Sequence, residues 1–395
     1  MGGYKTAREI IDGHAVETAE RDGRRLVLKP DAFALGGEEA LAALESATAP
    51  RGGALDAGRV MLFAGDCRGG GSSRLAPRAR VQAAAFGFQL VHPAAGCGPP
   101  VLTERGLAGP GSLTAAWGLP GGEASGDGSL VWPLGPDSLP DMLERGVFEA
   151  KEPDIHRVEC GGELGPAVRG TDVGLYVAGQ FGRGGARGAL LELGGAVVEA
   201  IGAGGRAGLA DAASLGGPAA VLCAPGTRAS AYSACYEYDF TNLAPQCAAA
   251  GADSRFDIVP LAEVTGAHVR RVVVGPAASA ADIREAARFL DGKRIHSDVQ
   301  LWVSPASRQV HFEALAKSDL TVLIDAGASV LPSCALPWAE ELTSGGGAVA
   351  VTGACAFEVC LERGMEVYYV NASAAAAAAL GGELCDPTPV CEKLG

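Results

Sequence analysis

Short runs of consecutive apolar residues alternate along this chain with segments whose apolar residues return every three or four positions. The runs at residues 25–28, 59–64, 88–91, 129–132, 189–193, 257–259, 271–274, 299–303, 348–352 and 366–370 are rich in Val, Ile, Leu and aromatic side chains and predict strands. Helical spacing predicts helices over residues 6–11, 38–45, 79–86, 139–144, 172–179, 280–290 and 310–317. The strongest is 280–290, where Asp282 stands in the first turn and Ile283, Ala286, Ala287 and Leu290 share one face. The alanine-rich residues 372–379 predict a tightly packed helix. Residues 96–128 are rich in Gly and Pro, lack a period and predict a loop. Strands alternating with helices in this way predict α/β layers with largely parallel sheets.

Composition adds bounds. A chain of 395 residues exceeds one ordinary domain, and 48% hydrophobic residues can fill more than one core. The net charge of −14 argues against nucleic acid and against an anionic membrane surface, both of which call for a basic face. No run approaches the roughly 18 apolar residues of a membrane helix. The start, Met1-Gly2-Gly3-Tyr4-Lys5, lacks the apolar core of a signal peptide. Eleven cysteines in such a chain predict reduced thiols in the cytoplasm rather than disulfides. The abundance of Ala and Gly is that of proteins from GC-rich bacteria.

Motifs narrow the reading. Within residues 299–387 a strand leads to Ser304-Pro305-Ala306-Ser307, then to a helix and the loop Cys334-Ala335-Leu336-Pro337. Two further strands, the alanine-rich helix, Gly381-Gly382 and Asp386-Pro387 follow. Upstream stand Val101-Leu102-Thr103-Glu104 with Pro110-Gly111, Arg206-Ala207-Gly208-Leu209, residues 236–246 and Val264-Thr265-Gly266. This order resembles the aconitase and isopropylmalate-dehydratase superfamily, specifically the large subunit of its two-subunit members. The resemblance implies an aconitase-like α/β fold: several α/β/α domains with mostly parallel sheets around a central cleft. It implies N-terminal intertwined domains over residues 1–240 and a C-terminal domain over residues 241–395. The similarity ends just past Asp386-Pro387, so the swivelling domain of single-chain aconitases is expected to be absent.

The resemblance also implies a [4Fe–4S] cluster held by one cysteine of a GSCTN motif and two of a CxxC loop, with one iron left open as a Lewis acid. Here the first motif reads Gly275-Pro276-Ala277-Ala278-Ser279 and the second Cys334-Ala335-Leu336-Pro337. Ala277 and Pro337 thus stand at two of the three ligand positions, and neither side chain binds iron. No cofactor and no metal are expected. The family's Asp-Ser-His-Thr segment falls on Gly118-Leu119-Pro120-Gly121, and its Ser-Asn-Met segment on Ala210-Asp211-Ala212, where the carboxylate base is lost. Its Arg-Asn-Phe segment falls on Cys355-Ala356-Phe357, and both arginines are lost over residues 355–360.

Asp66, Glu104, Arg206, Ser307 and Cys334 keep the family's residue or its type. Cys67, Cys334, Cys355 and Cys360 fall on positions that face the cluster in the family. They read as small buried fillers, as a thiolate nucleophile, or as a small metal or relic cluster site. Gly65-Asp66-Cys67-Arg68 and the glycines after it offer backbone amides to an anion but lack the Lys-Ser/Thr pair of a phosphate loop. His92 ends a strand, where parallel-sheet sites gather, and Arg308 follows Ser307 directly. The candidate catalytic residues are therefore Asp66, Cys67, His92, Glu104, Ser307, Arg308, Cys334 and Cys355. Two functions follow. One is a cluster-free lyase or isomerase acting on a small carboxylate-bearing molecule by acid–base or thiol chemistry. The other is a non-catalytic homologue that binds a ligand or serves as a structural subunit. In either case an uncovered cleft predicts a small-subunit-like partner or self-association.

Overall fold

A computed structural model of the chain describes residues 3–20, 24–48, 54–65, 72–96, 98–119, 126–182, 184–229, 231–251, 255–336 and 346–394. Its N-terminal part is built on five parallel strands in the order Gln89–Val91, Val60–Phe63, Ala32–Leu35, Leu113–Trp117 and Leu130–Pro133. The three central strands are buried at every residue. Continuous apolar runs are what a parallel sheet covered on both faces requires. The helices Ala7–His14, Gly37–Ser46 and Ser72–Phe86 supply Ile10, Ile11, Leu41, Leu44, Leu75 and Ala79 to this core.

The expected loop over residues 96–128 is corrected here. It holds the helix Pro99–Glu104 and the strand Leu113–Trp117. Leu-Thr-Ala-Ala-Trp has little intrinsic strand preference. Pairing to Ala32–Leu35 on one side and Leu130–Pro133 on the other makes it a strand.

A four-stranded parallel sheet follows, ordered Ala220–Cys223, Ala189–Gly194, Asp154–Gly161 and Ala234–Asp239. The largest sheet has seven strands: Phe256–Pro260, Gln246–Ala250, Val367–Tyr369, Ala348–Val351, Val269–Ala278, Gln300–Pro305 and Ser329–Val330. Only the first two pairings in it are antiparallel. A small antiparallel sheet of Ala15–Glu20, Arg24–Leu28 and Phe148–Lys151 completes the set. The sheets are thus largely parallel, as the alternation of elements predicts.

The helix Ala280–Leu290 forms over the residues its spacing indicates. Ser279 and Asp282 close its N-terminus as a capping box, and Ile283, Ala286, Ala287 and Leu290 are buried. The alanine-rich helix Ala372–Gly381 is buried along nearly its whole length, capped by the Asn371 side chain on the Ala374 amide. Its methyl side chains share a core with Ala286 and Val272, a close fit that longer side chains would prevent. No helix among the described residues is long and apolar enough to cross a membrane.

Candidate active site

The N-terminal sheet and the C-terminal sheet meet through one apolar cluster that joins Met61, Phe63, Val91 and Ala116 to Cys334 and Cys355, with Ala277 packed against it. Beside it lies a cavity of about 240 Å³. Segments far apart in sequence wall it: the helix Pro99–Glu104, Gly126-Asp127, the helix Ala203–Ala213, residues 276–279 with Asp282, Ala306, and Thr352-Gly353 after the strand Ala348–Val351. At its mouth Val310 marks the start of the helix Arg308–Ala316.

An irregularity near the end of the strand Val269–Ala278, between Val274 and Ala278, shapes one wall. Gly275 has φ +121, and a Cβ there would sit 2.5 Å from the Ser304 carbonyl oxygen, so only glycine fits. Ala277 is held at φ +69 and Cys334 at φ +55. Such left-handed backbone costs a non-glycine residue about 1–2 kcal/mol, and it clusters where the fold over-determines a site. The wall position held by Ala277 presents a methyl group with no donor atom.

Four carboxyls line the cavity. Glu104 lies at the rim. Burial of its carboxyl raises its pKa, against the opposing pull of the Ser307 hydroxyl and of Arg105. Ser307 is fully buried, donates its hydroxyl proton to Glu104, and accepts the Val310 amide at 3.1 Å as the cap of its helix. This contact ties the N-terminal part of the chain to the C-terminal part beside the cavity.

Asp211, on the helix Ala203–Ala213, is buried in the cavity wall, and burial pushes its pKa up. Its Oδ2 accepts the Ala354 amide at 2.8 Å and the Tyr369 hydroxyl at 2.7 Å. The first of these places a carboxylate at the N-terminus of the helix Ala354–Glu362, where the helix dipole favours it. Asp282 accepts the amide and hydroxyl of Ser279. Burial first, then the neighbouring Glu285 and Asp211, push it up to about 6. Asp127 accepts from Thr103 at 2.6 Å and from Ser129 at 2.8 Å. No lysine, arginine or histidine among the described residues lines the cavity.

The residues expected from sequence divide into three groups. Glu104 and Ser307 touch each other at the cavity, and Cys334 and Cys355 are buried in the apolar cluster beside it. Cys334 is disulfide-bonded, its partner outside the described residues. That corrects the expectation of a reduced thiol at Cys334 and removes the thiolate it was expected to offer, while Cys160, Cys223, Cys235 and Cys247 among the others are free thiols. Pairing between distant segments depends on how the chain folds back, which cysteine count does not reveal.

His92 is exposed and accepts the Ala94 amide at 3.2 Å, capping a short turn. Arg308 is exposed, with its guanidinium 5.6 Å over the Phe312 ring. Neither lines the cavity. Asp66 and Cys67 lie outside the described residues, as does most of the glycine-rich loop they open. Cys360, expected to face the same site, packs instead with Val273, Phe357 and Tyr369, and burial pushes its thiol up to about 11. Arg206 is spent on structure. It donates to the carbonyls of Gly126 at 2.8 Å and Ile201 at 2.6 Å, and to the Tyr4 hydroxyl at 2.8 Å.

Asp211 and Asp282 were missed. Asp282 reads from sequence as a helix-capping acid, which it also is. Asp211 had a signal: it is the one charged residue in Leu209-Ala-Asp-Ala-Ala-Ser-Leu215, a run of small and apolar side chains. A charge in such a run is buried and needs a reason.

Comparison with known proteins agrees with this architecture. Residues 77–256 match the aconitase family (aconitate hydratase). The large subunit 1 of 3-isopropylmalate dehydratase from Methanopyrus kandleri is 30% identical over 322 residues, covering 73% of this chain and 75% of that protein. The large subunit from Oleidesulfovibrio alaskensis is 29% identical over 312 residues, covering 73% and 74%. The crystal structure of holo-form aconitase X from Thermococcus kodakaraensis superposes with a TM-score of 0.56 over 90% of each chain at 12% identity, which marks a shared fold. The chain belongs to the aconitase family, with large subunits of 3-isopropylmalate dehydratase among its relatives.

Proposed function

We propose that this member of a hydratase and dehydratase family works without an iron–sulfur cluster, as a lyase or isomerase whose proton transfers are carried by carboxyls at the cavity. The observation that carries the reading is Ala277. The family resemblance puts the first cluster cysteine at this position, and the side chain on the cavity wall is a methyl. Pro337 stands at a second ligand position in the sequence, and Cys334 at the third is committed to a disulfide. Among the described residues no group of three or more His, Cys, Asp or Glu is placed to hold a metal ion. A cluster needs thiolates, and this donor set does not fit one.

Elimination of water needs a base to take a proton from carbon and an acid to protonate the departing hydroxyl. As the C–H and C–O bonds break, the C–H electron pair forms the double bond and the oxygen leaves as water. Glu104 and Asp211, which both line the cavity and whose pKa values burial raises, are the pair proposed to carry these two proton transfers. The proton taken and the proton given balance over the reaction. The reading as a non-catalytic subunit has no comparable support, since packing alone requires no paired acids in a cavity.

The test is iron and acid-labile sulfide on protein purified without oxygen. A colourless preparation with neither is expected. A brown preparation with stoichiometric iron and sulfide overturns the reading.

The relatives are named as large subunits, and we propose that this chain likewise pairs with a small-subunit-like partner or with itself. Phe312 and Leu315 on one helix and Ile324 on the next are exposed at 55%, 48% and 53%, near the cavity mouth that Val310 marks. Light scattering on Phe312→Glu should show a smaller assembly than the parent chain. A parent chain that is monomeric with no co-purifying partner rules the pairing out.

A further inference from the structure

We propose that His14 is a pH-sensitive clamp. As an imidazolium it fastens the end of the first helix to Asp31, where two strands of the N-terminal sheet begin, and it lets go when it loses its proton.

The geometry sets the charge. His14 stands in the last turn of the helix Ala7–His14, and its side chain is 14% exposed. Its Nδ1 lies 2.6 Å from the Ile10 carbonyl oxygen and its Nε2 2.9 Å from Asp31 Oδ2. A carbonyl oxygen can only accept, and Asp31 Oδ2 already accepts the Leu113 amide at 3.0 Å. A neutral imidazole has one N–H and can meet one of these two acceptors, whereas an imidazolium meets both. The helix dipole favours a cation in this turn as well. Asp31 directly precedes the strand Ala32–Leu35, and Leu113 opens the strand Leu113–Trp117. The backbone of the two residues is also joined, the Asp31 amide donating to the Leu113 carbonyl at 2.8 Å. One ring thus ties a helix to two neighbouring strands.

The surrounding charges fix the direction of the switch. The Asp31 hydrogen bond favours the charged ring most. Burial opposes it, the Ile10 carbonyl favours it, and Lys5 opposes it, and the balance raises the pKa of His14. Burial works against the Asp31 charge, but the hydrogen bonds from His14 and Leu113 outweigh it with help from Arg59, and that carboxyl is held below its ordinary value. A raised histidine pKa means that the clamp's share of stability is fully present below about pH 6.5, the ordinary histidine value, and is lost as pH rises through the raised one. The lowered Asp31 pKa means that its share is present above about pH 4 and is lost only in stronger acid. The clamp is therefore closed in mild acid and opens toward alkaline pH. The other polar fastenings of this segment contain no histidine: the Tyr4 hydroxyl accepts from Arg206, the Ala7 amide donates to Glu192, and Thr6 and Glu9 cap the helix. A change in residues 7–14 between mild acid and mild alkali traces to His14.

Long-range proton–nitrogen correlation spectra of the labelled full chain against pH test the assignment, with the His14 ring assigned through bonds to its own backbone. At about pH 6.5, where an ordinary histidine is half protonated, both ring nitrogens of His14 are expected to carry protons. One should be lost only at higher pH. Asp31→Asn can still accept the Leu113 amide, so the fold, read by circular dichroism, should persist while the His14 midpoint falls. Hydrogen exchange over residues 7–14, corrected for its intrinsic pH dependence, should quicken about tenfold as the parent chain passes the midpoint. His14→Gln should exchange at the faster rate on both sides. The proposal is overturned by any of four results: a ring with one proton at about pH 6.5, a midpoint at or below the ordinary value, a midpoint unmoved in Asp31→Asn, or corrected exchange that is the same on both sides in the parent. The ring and exchange measurements on the parent chain decide the matter without either variant.

Discussion

Replacing Glu192 by leucine is expected to lower the stability of this chain by about 3–5 kcal/mol, the usual cost of breaking a buried ion pair by removing one partner. Glu192 and Arg157 face each other across the parallel strands Ala189–Gly194 and Asp154–Gly161. Their side chains are 0% and 2% exposed, with Arg157 Nη1 donating to Glu192 Oε1 at 2.9 Å. The same carboxylate accepts the Tyr232 hydroxyl at 2.6 Å and, on its other oxygen, the Ala7 amide at 2.6 Å. It therefore fastens the first helix to the four-stranded sheet. Leucine leaves the guanidinium with Glu159 alone, at 2.7 Å, and strands two further donors. Arg157→Met added to Glu192→Leu should recover part of the loss, because a buried pair exchanged for apolar side chains is often neutral. Urea unfolding monitored by circular dichroism measures both. A single variant within about 0.5 kcal/mol of the parent would show that the pair is not buried as described.

Gly174→Ala is expected to reverse the ordinary sign of its substitution. In a helix interior, alanine is favoured over glycine by about 1 kcal/mol. Here a Cβ would meet the Leu209 carbonyl oxygen at 2.3 Å and the Ala212 methyl at 2.8 Å, both on the helix Ala203–Ala213. Gly170 is in the same position one turn earlier, with the Gly205 carbonyl oxygen 1.9 Å from an added Cβ. The helices Gly170–Phe181 and Ala203–Ala213 thus touch backbone to backbone. A methyl group can enter only if the second helix moves, and overpacking of this kind costs about 1–3 kcal/mol. Because that helix carries Asp211 into the cavity wall, its displacement should also disturb the cavity. A variant about 1 kcal/mol more stable than the parent, in urea unfolding, contradicts the close approach.

Most of the scaffold was legible because its signals are local. The helix Ala280–Leu290 shows its apolar face and its capping pair within eleven residues, and strands such as Val60–Phe63 are unbroken apolar runs. Leu113–Trp117 failed because two of its five residues are alanine and its neighbours are glycine-rich. Its conformation is set by partners roughly eighty residues upstream and seventeen downstream. Glu104 and Ser307 were picked out singly by resemblance. That they share a hydrogen bond could not be read, since they lie 203 positions apart. His92 and Arg308 looked as plausible as either by residue type, and only their place away from the cavity lining sets them apart.

The sequence by itself determined the alternation of strand and helix, the parallel character of the sheets, and the identity of Ala277 and Pro337 at positions where the family resemblance calls for cysteine. These depend on residue type and spacing, which a linear chain displays. The tertiary structure alone decided which side chains share a cavity, that Asp211 is held by the Ala354 amide and the Tyr369 hydroxyl, and that Cys334 is bound in a disulfide. Burial, hydrogen-bond partnership and the desolvation that shifts a carboxyl depend on distances between segments remote in sequence, and folding is what sets those distances.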